Sequence, residues 1–376
     1  MNPSIVGVGT SAFGRFPTAR IESLAHTAIV EALDDAALRP GDIDAAYVGS
    51  VFGPAGIANR VLAGVGLAGI PVYRIEAACA SGTVALHEAQ RAVRTGMHRR
   101  VLAVGVEQLS VVFDGPIVPE PTDPEGRSGL ALPALYALQA NRYLAEHGLD
   151  PAVLAHIAVK NKFAGSMNER AHLSGAPPSV EQVLASRPIA GPLTLLQCCP
   201  MTDGAAAVIV GDGTEGGVPI LASSFVSGPA WESGSDEPWS MRTVSAAASA
   251  VWEASGRGPD DVDVAEMHDA FTIGEILTTE ALGLAEPGMA GRLAAEGVTA
   301  LGGRLPINPS GGLLSRGHPL GATGLAQAAE LVWQLRSQSG RRQVDGARTA
   351  LLETMGGGAA GVDGNACVVA LLGGDR

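Results

Sequence analysis

The sequence predicts an α/β protein assembled from two related halves. Strand-like and helix-like segments alternate along most of the chain. Two distant stretches echo each other, and 376 residues exceed what one ordinary hydrophobic core accommodates. Composition agrees: 46% of residues are apolar and only 17% charged, which describes a well-buried globular protein and excludes disorder.

The elements follow in order. "SIVGVGT" is apolar and β-branched, a first strand. Residues 21–38 place Ile21, Leu24, Ala28, Leu33 and Ala37 at helical spacing, and "RPGDID" ends that helix. "AAYVGSVF" reads as a strand, "RIEAACAS" as a strand entering a turn, Gly82–Thr95 as a helix and "RRVLAVGVEQLS" as a buried strand. "GPIVPEPTDPEG" is rich in Pro and Gly, so 113–133 reads as loop. Helices near 133–147 and 151–168 come next, then the strand "AAAVIVGD". "VPILASSFVSGP" restarts the alternation, which continues to "ACVVALL", so 110–200 reads as an insertion. The echo pairs "EAACASGTVALHEAQ" with "GHPLGATGLAQAAE"; each is a Gly/Ala-rich turn opening a helix that precedes an apolar strand.

The net charge of −13 argues against nucleic acid as the main partner, though an anionic small molecule needs only a local basic pocket. "MNPSIVGVGT" lacks a signal-peptide pattern, and no run of about 18 apolar residues would span a membrane. Cys79, Cys198, Cys199 and Cys367 form no CxxC pair, which fits a reducing, cytoplasmic setting.

Cys79 sits where a strand ends and a helix begins, and the positive end of a helix dipole favours a thiolate there. It reads equally as a buried structural cysteine. His318, between Gly317 and Pro319, occupies the corresponding turn of the second half; it reads as the base that takes the thiol proton, or as a loop histidine capping a turn. His268 opens "HDAF" and reads as a helix-start residue with Asp269 at the cap, or as a donor to a substrate carbonyl oxygen. "GVGTSAFG" departs from the dinucleotide spacing G-x-G-x-x-G, and the adjacent Cys198 and Cys199 lack metal-ligand spacing. "ETMGGGAAG", residues 353–361, is a glycine run that lets backbone approach something closely.

With these motifs in order, the chain resembles the thiolase superfamily, and most of all its sterol-carrier-type (nonspecific lipid-transfer) branch. "EAACASG", "QCCPMTDGAAA", "HDAF", "SRGHPLGATG" and the final glycine loop carry the resemblance over nearly the whole length. It implies the thiolase fold, with two similar five-layered α/β/α/β/α halves. The first would span 1–215 with a loop domain at about 111–200, and the second 216–376. It implies a homodimer active in lipid metabolism on acyl-CoA, with no tightly bound cofactor and no metal. Cys79 would be the acyl-accepting nucleophile, His318 its base and His268 a holder of the second substrate's oxygen. The amides of Cys79 and Gly356 would form the oxyanion hole. Lys160, Lys162 and Arg170 are candidates for the coenzyme A phosphates.

The resemblance also exposes a departure. Thiolases use a second cysteine as acid and base, either two residues before the oxyanion glycine or within "HDCF". Those positions here hold Thr354 and Ala270, and no other cysteine matches either motif position. A threonine hydroxyl is too weak an acid to take that role near neutrality, and losing a positioned base costs about 10²–10⁴-fold. The sequence therefore points to an acyltransferase that loads Cys79 from acyl-CoA and passes the acyl group to an acceptor needing no strong base, such as an activated aromatic carbon, an amine or a thiol. The alternatives are a slow or partner-dependent 3-ketoacyl-CoA thiolase, and a non-catalytic thioester-binding subunit working with a small zinc-ribbon/OB-fold protein. Retro-aldol cleavage, known among relatives lacking the nucleophilic cysteine, ranks last because Cys79 is present.

Overall fold

A computed structural model describes residues 2–230, 241–357, 362 and 364–373. Nine strands form one sheet in the order β3 (Val72–Ile75), β2 (Ala45–Gly49), β4 (Arg100–Gln108), β7 (Asp203–Asp212), β1 (Pro3–Thr10), β8 (Val218–Val226), β11 (Ala366–Gly373), β10 (Thr349–Gly356) and β9 (Val264–Glu266). β2 is parallel to β3 and β4, and β9 is parallel to β10; the other pairings are antiparallel. β1 joins β8 through only two residue pairs, Ser4 with Pro219 and Ile5 with Val218, whereas its pairing with β7 runs the length of the strand. That narrow junction lets the sheet fold over as two sections.

Between the sections lie α3 (Ser81–Arg94) and α12 (Leu320–Leu335), which touch strands of both. All of α12 except Trp333 and Leu335 is buried. The central strands β4, β7, β10 and β11 are covered on both faces, which explains their unbroken apolar text. Val101, Ala103, Val208 and Leu352 face the central helices, while Leu102, Val104, Ile209 and Leu351 face outward, the alternation that strand geometry imposes. Helices α1 (Ile21–Asp35) and α2 (Ile57–Ala63) cover the outer face of the first section; α8 (Met241–Ser255) and α9 (Thr272–Ala281) cover that of the second. The result is five layers that span the whole molecule and share α3 and α12, rather than five layers within each half.

The segment between β4 and β7 contains α4 (Pro124–Arg127), α5 (Leu132–His147), α6 (Ala152–Gly165), α7 (Val180–Leu184) and the hairpin β5 (Pro188–Ala190) and β6 (Leu193–Thr194). α6 packs on α9, on α10 (Ala290–Ala295) and on α11 (Gly312–Ser315), so this segment lies against the second section. α6 ends three residues before the expected boundary, where Gly165 abuts Ser315 and leaves no room for a side chain.

Glycines set the central crossing. A Cβ on Gly82 or Gly105 would collide with the carbonyl of Gly321, and one on Gly321 would lie 2.6 Å from the Gly49 carbonyl. The starts of α3 and α12 therefore meet at backbone distance. Gly7 and Gly9 of "GVGTSAFG" serve a similar purpose, pressing β1 against the α1 carbonyls of Ala32 and Ala28, so packing accounts for them.

Candidate active site

Cys79 lies in a tight loop between β3 and α3. Ser81 Oγ donates to Ala78 O at 2.6 Å and accepts from Ala77 N at 2.9 Å, while Glu76 Oε1 accepts from Ala78 N at 2.8 Å. These bonds hold Ala78 at φ +48°, a left-handed conformation that costs a residue with a side chain about 1–3 kcal/mol. The strained turn places Cys79 just ahead of the first helical turn.

His318 is delivered from the opposite side. Gly317 at φ +111° turns the chain and Pro319 begins α12. His318 Nε2 lies 3.2 Å from Cys79 Sγ, and Nδ1 lies 2.7 Å from Thr323 Oγ1. The Thr323 hydroxyl has one proton, which it donates to Pro319 O at 3.1 Å, so it accepts from His318 Nδ1–H. This network assigns the proton to Nδ1 and leaves the Nε2 lone pair facing the thiol.

His268 follows β9, anchored by its amide donating to Glu353 Oε2 at 2.9 Å. Its ring meets that of His318 edge-on, centroids 5.1 Å apart at 76°. Donor atoms of Cys79, His268 and His318 converge within 4.8 Å. His268 Nε2 is buried without a hydrogen-bond partner among the described residues, in a residue only 3% exposed. Asp269 does not cap α9; it accepts from Leu313 N at 2.6 Å and from Asn161 Nδ2 at 2.7 Å, tying the His268 loop to α11 and α6.

Burial controls the charges. Cys79 is partly exposed, yet its surroundings push the thiol up to about 12, against the opposing pull of the Gly357 amide. Burial holds the His318 imidazole well below its usual range, with help from His268 and Arg316, and takes His268 down to about 4. The resting pair is a neutral thiol and a neutral imidazole. Desolvation thus outweighs the helix-terminus effect from which the sequence predicted a thiolate. Burial also raises Glu353 to about 7, opposed by the His268 amide.

Among the described residues, the backbone amides of Gly357 and of Cys79 itself act on the Cys79 sulfur, opposing the rise in its pKa. Gly356, expected from the sequence, is the neighbouring last residue of β10; a Cβ there would lie 2.5 Å from Ala77 O. It is the residue that lets the two loops touch. Residues 358–361 of the glycine run lie outside the described residues. Of the three basic candidates, Lys160 pairs with Glu275 at 2.7 Å, and Arg170 makes two 2.6 Å contacts with Glu31, so internal partners occupy both. Lys162 donates to Leu314 O at 2.9 Å and lines a crevice of about 670 Å³ with His172, Ser174, Pro177, Gln182 and Leu196. Burial lowers Lys162 to about 8, partly offset by Asp269, Cys199 and Cys198.

The chain matches known proteins over most of its length. Residues 4–175 match the family model described as thiolase, N-terminal domain, and residues 231–363 match thiolase C-terminal domain-like. The chain belongs to the thiolase family. An acetyl-CoA acetyltransferase of Methanothermobacter thermautotrophicus is 40% identical to this thiolase-family chain, over 94% of this chain and 96% of that protein. Sterol carrier protein 2 of Oryctolagus cuniculus is 37% identical over 95% of this chain and 70% of its own length. The solved structure titled Ltp2-ChsH2(DUF35) aldolase shares the fold, with TM-score 0.86, 24% identity and coverage of 100% of this chain and 98% of that chain. No helix among the described residues is long and apolar enough to cross a membrane.

The two positions that depart from the thiolase resemblance are closed to proton chemistry. Thr354 is fully buried and donates to Gln327 Oε1 at 2.6 Å, and Ala270 has no titratable group. Residue-by-residue reading of the sequence missed Thr323 and Gly357. Both stand inside quoted motifs, five residues after His318 and one after Gly356, so the motifs themselves carried the signal.

Proposed function

We propose that this thiolase-family acyltransferase transfers an acyl group from an acyl-CoA thioester to Cys79 and then to an acceptor. One observation carries the reading: Cys79 Sγ lies 3.2 Å from an imidazole nitrogen whose tautomer is set by Thr323. Cys79 attacks the thioester carbonyl while its proton passes to His318 Nε2, so the charge separation that burial suppresses at rest arises only during reaction. The carbonyl oxygen develops negative charge within reach of the Cys79 and Gly357 amides, beside Gly356. The departing coenzyme A takes the proton back from His318. Lys162 and its crevice would receive the coenzyme A arm. The open nitrogen of His268 would donate to a carbonyl oxygen of the second substrate. The reading includes a homodimer, consistent with β3 being an edge strand that leaves Tyr73 exposed.

Intact-mass measurement after incubation with a panel of acyl-CoA thioesters tests the reading. A mass increase equal to the acyl group is expected, absent in Cys79→Ala; no adduct from any thioester would sink it. A second reading, thiolytic cleavage of 3-ketoacyl-CoA, is favoured by the unpartnered His268 nitrogen, which suits a second carbonyl. Release of two acyl-CoA products from a 3-ketoacyl-CoA and coenzyme A would establish it.

A further inference from the structure

Breaking or making a carbon–carbon bond beside a thioester carbonyl places charge on the α-carbon, so some group must exchange a proton there. Neither Thr354 nor Ala270 is able to do so. The segment against Ala270, however, carries a thiol. Cys199 N donates to Ala270 O at 2.9 Å, and Cys198 bridges Phe271 in antiparallel fashion. Cys198 Sγ is occupied by Thr194 O at 3.4 Å and Cys367 Sγ by Glu353 Oε1 at 3.8 Å. Cys199 Sγ enters none of the hydrogen bonds of the described residues.

Cys199 also lies close enough to Cys79 for the two thiols to influence each other's charge. Burial, followed by Cys198, Asp269 and Cys79, raises its thiol well above the ordinary range. The buried Tyr136 is likewise raised, by burial and then by both Cys79 and Cys199. Lys162 feels Cys199 from the crevice side. Cys79 converges in turn with His268, whose buried Nε2 has no partner among the described residues and offers an open polar valence that a substrate carbonyl would fill.

We propose that Cys199 is the acid–base thiol of the second half-reaction, standing on the segment that borders position 270. The proposal rests on the acyl-enzyme reading above. In cleavage, Cys79 Sγ bonds to the 3-keto carbon and its proton goes to His318. The bond between C2 and C3 breaks, its electron pair goes to C2, and C2 takes the proton of Cys199. The Cys199 thiolate then removes the proton from incoming coenzyme A, whose sulfur displaces Cys79 from the acyl group; His318 returns the proton to Cys79. A thiol with a raised pKa suits the donor step, and the positive charge of Lys162, which interacts with Cys199, favours the brief thiolate.

The full chain is incubated with acetyl-CoA in D₂O, and both deuterium entry into the acetyl methyl group and the acyl-enzyme mass are followed. Wild type is expected to exchange. Cys199→Ala and Cys199→Ser should lose exchange by about 10²–10⁴-fold while still forming the Cys79 adduct, whereas Cys198→Ala should retain both. Ala270→Cys, added to Cys199→Ala, should restore exchange because it returns a thiol to the adjoining position. Adduct formation without exchange in wild type, or exchange unchanged in both Cys199 variants, would overturn the proposal. Absence of the adduct in wild type would instead overturn the acyl-enzyme reading beneath it.

Discussion

His318 Nδ1 donates to Thr323 Oγ1 at 2.7 Å, and that single bond decides which imidazole nitrogen faces Cys79. Both residues belong to the turn and first helical turn of α12, so the base and its anchor move as one unit. Thr323→Val keeps the shape and removes the acceptor. Its acylation rate constant is expected to fall about 10²-fold with little change in acyl-CoA KM. Single-turnover acylation measured by mass spectrometry checks this; a wild-type rate would mean that the tautomer is set elsewhere.

The neutral Cys79–His318 pair has a pH signature. Because the thiol pKa is raised to about 12, the thiolate fraction grows across the whole accessible range. Alkylation of Cys79 by iodoacetamide should accelerate about tenfold per pH unit from about pH 7 to pH 10, without a plateau. A plateau near neutrality would reveal a preformed thiolate–imidazolium pair and contradict the neutral resting state.

Glu353 is fully buried and its folded-state pKa is raised to about 7. A group raised on folding stabilises the protein fully below its unfolded pKa and loses that contribution as pH climbs through the folded value. Glu353→Gln has no such loss and still offers an acceptor to the His268 amide. Its stability relative to wild type should therefore improve by about 2–3 kcal/mol between about pH 5 and pH 8. Denaturant unfolding at the two pH values provides the comparison, and a constant difference would refute it.

The glycine crossing of α3 and α12 tolerates no side chain. Gly82→Ala drives a methyl group into the Gly321 carbonyl, a backbone atom that yields only by separating the helices. A loss of about 2–3 kcal/mol is expected in denaturant unfolding, with slower acylation because Cys79 and His318 ride on those helix starts. Unchanged stability would show that the crossing is looser than the backbone contacts indicate.

The strand text was legible because every central strand is covered on both faces, and "RRVLAVGVEQLS" and "RTALLETM" record that cover as unbroken apolar runs. Cys79 and His318 stood out because each stands in an unusual turn at an element boundary, which is local information, although a structural role read equally well for Cys79; His268 was singled out by the family resemblance. α8 and α10 escaped notice because their text lacks turn signals as distinctive as those around the histidines. Lys160 and Arg170 looked like free basic groups because their partners, Glu275 and Glu31, lie 115 and 139 residues away in sequence.

The sequence by itself determined the alternation of elements, the family motifs, and the presence of threonine and alanine at positions 354 and 270. Only the tertiary structure decided the direction in which burial shifts Cys79, the tautomer of His318, and the placement of Cys199 beside Ala270. The physical reason is range. Backbone preference and turn chemistry act over a few residues and are written locally. Desolvation and hydrogen-bond partnership depend on atoms that folding brings together from distant parts of the chain.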